Sequence, residues 1–258
     1  MLLLVFFICF ITSLLGGLCG IGGGMISKPL LDATGIMSVS AVSFLSGVTV
    51  LAMALISLYQ KRKTKELDQK RSLPLALGAA CGGIIGKQLF EYAKQATGAE
   101  QLVGLLQSVL LVVLVLATVL YLYNKTKIHT KNIHHQGIAL LIGLFLGICS
   151  SFLGIGGGPM NLVVLYYFFS METKQAASNS LLIILLSQTM HLLVSLREGT
   201  IPQFEMITLL TMIGAGAIGG FFAAKLQKKL SPQTIDRVFL GLLLLILLIC
   251  GYNISQIF

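Results

Sequence analysis

Long apolar runs alternate with short polar stretches along the whole chain, at residues 2–16, 39–59, 73–86, 102–123, 137–153, 176–196, 204–224 apart from Glu205, and 238–252. Most approach the ~20 residues that a helix needs to cross a ~30 Å hydrocarbon core. The pattern predicts an all-α polytopic membrane protein with about eight hydrophobic helical segments. The lipid bilayer is then its first partner. Composition agrees, since only 10% of the 258 residues are charged, 56% are hydrophobic and the mean hydropathy is +0.92, whereas a soluble domain is about a quarter charged.

Two glycine-rich breaks interrupt the apolar pattern. The motif GIGGG occurs as Gly20, Ile21, Gly22, Gly23, Gly24 and again as Gly154, Ile155, Gly156, Gly157, Gly158, with Pro29 after the first and Pro159 abutting the second. Aligning the two motifs sets an offset of 134 residues. With only a few inserted residues in this register, Gly82 and Gly83 fall opposite Gly219 and Gly220, and the helix start bearing Ser40 and Ser43 falls opposite Ser178, Asn179 and Ser180. The chain reads as an internal duplication, with a first membrane repeat over 1–124, a basic cytoplasmic linker over 125–136 and a second membrane repeat over 137–258.

Charge supplies orientation. The net charge of +9 could indicate a nucleic-acid partner, but thirteen of the 18 basic residues sit in three clusters between apolar runs. These are Lys61, Arg62, Lys63, Lys65, Lys70 and Arg71; Lys125, Lys127 and Lys131; and Lys225, Lys228, Lys229 and Arg237. Such loops are what cytoplasmic retention produces, so the expectation is no nucleic acid. Equivalent loops differ in character between the halves: 61–71 carries six basic residues and 197–203 one, while 86–100 balances Lys87 and Lys94 against Glu91 and Glu100 and 225–237 carries four. The second half is therefore expected upside down relative to the first. The crossing count then requires each repeat to open with a glycine-broken re-entrant hairpin, and both termini are predicted external. The N-terminal segment lacks a basic leader and an A-x-A cleavage signal, so it reads as a mature segment.

Glycines and prolines interrupt helices and free backbone polar groups. At membrane depth such a stretch is tolerated only where it is buried in protein or lines a wet cavity. Successive glycine N–H groups leading into a helix start near Met25 or Met160 form a donor-rich concavity, which is an anion site. The candidate substrate-binding residues are Gly20, Gly22, Gly23, Gly24, Gly154, Gly156, Gly157 and Gly158, joined by Lys28, Ser40, Ser43, Asn161, Ser178, Asn179 and Gln188. Lys28 could instead snorkel to the interface. His191 could relay protons or serve as a hydrogen-bonded structural residue. The spaced residues Gly78, Gly82 and Gly86, and Gly216, Gly220 and Ala224, read as helix-packing stripes.

Several chemistries are disfavoured. The five cysteines form no CxxC pair, so neither a disulfide framework nor a metal site is expected. HExxH, a nucleophile elbow and a clustered acid pair are all missing from the sequence, which argues against an enzyme, and no cofactor is implied. A homo-oligomeric assembly stays open.

The two repeats, each opening with a GxGGG break, together with Pro29, Pro159 and the run Ala177, Ser178, Asn179, Ser180, resemble the sulfite exporter TauE/SafE family of membrane transporters over nearly the whole chain. Lys28 departs from the apolar residue common before the first proline, and Pro159 lacks the usual spacer after the glycines. The resemblance implies transport of small anions, mostly sulfur-containing ones such as sulfite, thiosulfate or organosulfonate, across the cytoplasmic membrane. Export follows from an inside-negative potential. The alternative is an anion channel with the glycine-rich segments as its filter.

Overall fold

The computed structural model describes residues 2–62, 69–98, 100–125, 128–133, 135–155 and 157–255. They form ten helices and, among the described residues, no strand: α1 (Leu2–Cys19), α2 (Gly24–Thr34), α3 (Val39–Lys61), α4 (Gln69–Thr97), α5 (Glu100–Asn124), α6 (Gln136–Leu153), α7 (Pro159–Phe169), α8 (Thr173–Glu198), α9 (Met206–Lys229) and α10 (Pro232–Ser255). Eight of these are long and apolar enough to cross a membrane. The two short ones, α2 and α7, each follow a glycine-rich break, so both halves read long, short, long, long, long.

Local chemistry sets the boundaries. The Ser38 hydroxyl accepts the Ala41 N–H at 3.3 Å and opens α3. Glu172 and Gln175 form a reciprocal capping box that opens α8. Gly35, Gly154 and Gly199 close α2, α6 and α8 in the left-handed conformation that a Cβ disfavours. Helices extend into the expected loops, with α9 running to Lys229 and α10 starting at Pro232 within 225–237. The stretch 86–100 was expected to be a loop, but α4 continues unbroken to Thr97, supported by the Lys87 and Glu91 pair one turn apart.

Helix directions follow from which residues lie side by side. Along α9, Gly219 is level with Phe10 and Gln227 with Leu18, so α1 runs parallel to α9. Thr49 lies against Gly216, Met53 against Gly220 and Gln60 against Lys228, so α3 runs parallel to α9 as well. On the other side, Leu75 meets Gly143, Ala79 meets Gly147, and Gly86 meets Ile148, which makes α6 parallel to α4. Ser72 with Asn179 and Gly83 with Ser187 make α8 parallel to α4. Yet α3 and α8 are antiparallel, because Gly47 touches Gln188 while Lys61 reaches Ser178. Helices α1 and α3 thus share one direction, and α6 and α8 share the opposite one.

The glycine stripes make these close pairings. A Cβ built on Gly78 or Gly82 would lie 2.0 Å from the Leu140 or Leu144 carbonyl oxygen of α6, and one on Gly220 would lie 2.5 Å from the Met53 carbonyl oxygen of α3. The small residues let backbones meet where any side chain would hold them apart. The halves are interleaved as a result, with the first helix of each packed on the fourth helix of the other. Buried aliphatic clusters fill the interior. Leu3, Leu4, Phe7 and Ile11 on α1, Leu141 and Phe145 on α6 and Leu248 on α10 are exposed, a surface suited to lipid.

Candidate functional site

The two GIGGG motifs take different backbone paths. In the first, Gly20 and Gly22 have φ of +79° and +81°; in the second, Gly154, Gly157 and Gly158 have φ of +63°, +133° and +115°. The cause lies one residue downstream. Proline is favoured at the first helical position, where its missing N–H would be unpaired in any case, and α7 starts on Pro159 with Gly158 outside the helix. Pro29 sits within α2, leaving Gly23 helical at φ −64° and Gly24 as the first residue of α2. Gly156 lies outside the described residues.

The breaks meet halfway along the long helices. A Cβ on Gly24 would lie 2.8 Å from Val50, at the middle of α3, and one on Gly157 would lie 2.4 Å from Ile184, at the middle of α8. The same Gly24 position is 2.7 Å from the Ile155 carbonyl oxygen, and the Gly158 position is 3.6 Å from the Met25 sulfur. Each break also abuts the polar helix of the opposite half: Gly154 packs on Ser43, and Gly20 packs on Ala177. Residues 20 and 154, and 43 and 177, are each 134 apart, so one contact is made twice, once in each direction between the halves.

Around the second break the polar groups lack partners. Ser43, Ser46 and Ser151 hydroxyls, the Asn161 Nδ2 and the Gln188 Nε2 are buried with no hydrogen bond among the described residues. Asn161 Nδ2 lies 3.1 Å from the Gly157 Cβ position, and Gln188 Oε1 lies 2.7 Å from that of Gly47. Leaving a buried polar group unpaired costs about 1–3 kcal/mol. Three of these groups, Ser43, Ser151 and Asn161, come from three helices to the one glycine turn, Ser43 against Gly154 and Asn161 against Gly157. A cavity of ≈ 20 Å³, room for about one water, lies here, lined by Ser40, Ser43, Lys87, Ser151, Gly154 and His191.

The remaining sequence candidates lie elsewhere or have partners. Ser178 accepts from Lys61 Nζ at 3.2 Å, and Asn179 bonds Ser72 and the Gln175 carbonyl, both on the side of the first break. Ser13 and Ser180 are unpartnered among the described residues, with Ser13 against Gly23. Ser40 accepts from Lys94 at 3.1 Å. The ammonium of Lys28 is held by Asp32 at 2.9 Å, one turn along α2 and close to α10, whose Asn253 donates to the Pro29 carbonyl. The structure thus gives Lys28 a counter-ion of its own rather than an open face toward the break.

Two lysines are more deeply involved than their sequence context indicates. Lys61 was grouped with a solvated loop cluster and Lys87 with a weakly charged loop, yet they are only 1% and 4% exposed. Lys87 is the cation lining the second-break cavity. The signal was present as the i,i+4 relation of Lys87 to Glu91 immediately after the Gly78, Gly82, Gly86 stripe.

Comparison with known families matches the chain, over residues 5–249, to the family described as sulfite exporter TauE/SafE. The chain belongs to the TauE/SafE family. No match was found among curated proteins or solved structures. As a TauE/SafE member with eight helices of spanning length, it is a multi-pass membrane protein of a transporter family. Among the described residues no group of three or more histidine, cysteine or acidic side chains could hold a metal ion, and all five cysteines are free.

Proposed function

We propose that this TauE/SafE protein is a carrier of small anions, sulfur-containing oxyanions such as sulfite, thiosulfate or an organosulfonate, and that it exports them across the cell membrane. The observation that carries the proposal is the meeting of both glycine-rich breaks at mid-helix, beside buried polar groups without partners among the described residues from α3, α6 and α7. Hydroxyl and amide groups such as these can donate to an anion. Their convergence from both halves gives a site that rocking of one repeat against the other would open alternately to each side.

In this reading α1 with α2, and α6 with α7, are re-entrant hairpins whose tips meet near the membrane midplane, and the repeats are inverted. Support comes from α1 and α3 running parallel, which obliges the intervening chain to return, and from the opposite direction of α6 and α8. With the basic loops cytoplasmic, both termini lie outside. Export follows from energetics, since moving one charge through 100 mV is worth ~2.3 kcal/mol and an inside-negative potential drives anions outward.

A ligand that binds only the folded state raises its thermal stability. Purified protein in detergent, heated with sulfite, thiosulfate, methanesulfonate, sulfate or chloride, should be stabilised by at least one sulfur oxyanion more than by chloride. Equal or absent shifts with every anion would remove the substrate assignment.

A further inference from the structure

The cavity beside the second break has a charged pole that the glycine motifs do not supply. Lys87 rises into it from α4, with its side chain only 5% exposed, and its ammonium contacts the carboxylate of Glu91 one turn further on, whose side chain is 24% exposed. Across the cavity stands His191 of α8, with Ser43 of α3 and Ser151 of α6 beside it. Thr200 and Pro202, from the segment joining α8 to α9, complete the lining. The hydroxyls of Ser43, Ser151 and Thr200 are buried without a partner among the described residues. Phe44, which also lines the cavity, stacks on Phe204 of the same joining segment with ring centroids 5.6 Å apart.

We propose that Lys87 is the charge-bearing anchor for the transported oxyanion, and that Glu91 is an internal competitor which occupies Lys87 until the substrate displaces it. The inference rests on the anion-carrier reading and specifies where the negative charge is neutralised. A buried ammonium without a counter-charge is costly, so a resting partner is required. Glu91 is suited to a temporary role because it lies one helical turn away and is less enclosed than Lys87, its side chain being 24% exposed. An oxyanion arriving at Lys87 also meets three hydroxyls that Glu91 leaves unsatisfied. A trigonal or tetrahedral oxyanion presents several acceptor atoms to donors arriving from different helices, which a single carboxylate tethered to α4 does not. The exchange is therefore favourable for the substrate and reversible, because Glu91 recaptures Lys87 when the anion leaves. At ≈ 20 Å³ the cavity must widen to admit such an anion, and the non-helical segment carrying Thr200, Pro202 and Phe204 is tied to α8 by the bond from the Thr200 N–H to the Ser195 carbonyl.

The test is calorimetric titration of the purified full-length protein with sulfite, with methanesulfonate as a non-oxidisable companion, comparing the unaltered protein with Lys87→Gln, Lys87→Arg and Glu91→Gln. Loss of a charge-assisted contact weakens binding by at least about tenfold in Lys87→Gln, with recovery in Lys87→Arg. Removal of the competitor tightens binding by about threefold or more in Glu91→Gln, because the binding-competent fraction rises. Unchanged affinity in Lys87→Gln, or unchanged or weaker affinity in Glu91→Gln, overturns the assignment while leaving the carrier reading in place. Should Lys87→Gln fail to fold, the Glu91→Gln result decides. If the unaltered protein binds neither anion, the carrier reading itself fails and this one with it.

Discussion

Glycine does two separable jobs in this chain, and single substitutions distinguish them. On α4 it permits contact between helices: a Cβ on Gly82 would lie 2.0 Å from the Leu144 carbonyl oxygen, and backbone cannot yield as a flexible side chain can. Gly82→Ala should force α4 and α6 apart and destabilise by about 1–3 kcal/mol, as overpacking does. Gly241, within α10, has nothing within 4 Å of its Cβ position, so Gly241→Ala should be neutral or stabilising by up to about 1 kcal/mol. Thermal unfolding in detergent, read by loss of helical signal, checks both. Equal effects at the two positions would remove the packing argument. At the breaks the requirement is conformational, with φ of +133° at Gly157 and +115° at Gly158. The motif and its duplication were legible as letters. The burial of Lys87 and Lys61 was not, because a lysine at the end of an apolar run reads as a loop charge until helix continuation and neighbours are known.

Most elements were legible in the apolar pattern, although α4 runs well past the apolar stretch 73–86 to Thr97, and the two short helices emerged because glycine and proline punctuate them. The faces these elements present were harder to read. Nothing local to Ser43 says that it will sit beside Gly154, or that Gly20 will sit beside Ala177; both depend on α3 and α8 crossing between the halves. Each polar helix start packs on the break of the other half. The hairpin reading makes a claim at this scale. In a cysteine-free background, single cysteines at Leu3, at the start of α1, and at Ile36, beyond the end of α2, should react with a membrane-impermeant maleimide from the same side, and one at Arg62 from the opposite side. Labelling of Leu3 and Ile36 from opposite sides would mean that α1 and α2 together cross the membrane once, and the hairpin would be lost.

At the scale of the whole molecule, the interleaving of the halves matters more than either half alone. Because α1 packs on α9 and α6 on α4, neither repeat can tilt without moving helices of the other. The central donors belong to both repeats, so tilting changes the site as well as its access. Inversion could be argued from the asymmetry of the basic loops before any coordinates, since charge bias is a property of whole loops and survives errors of a few residues at each helix end. The central claim is that the meeting point of the two breaks is an anion pathway driven by the membrane potential. It is tested most directly by efflux of radiolabelled sulfite from proteoliposomes under an imposed inside-negative potential, for the unaltered protein and for Gly157→Leu, where the new side chain would collide with Ile184. Efflux that accelerates with the potential and is abolished in a correctly folded Gly157→Leu protein is the predicted result; efflux indifferent to both the potential and the substitution would contradict it.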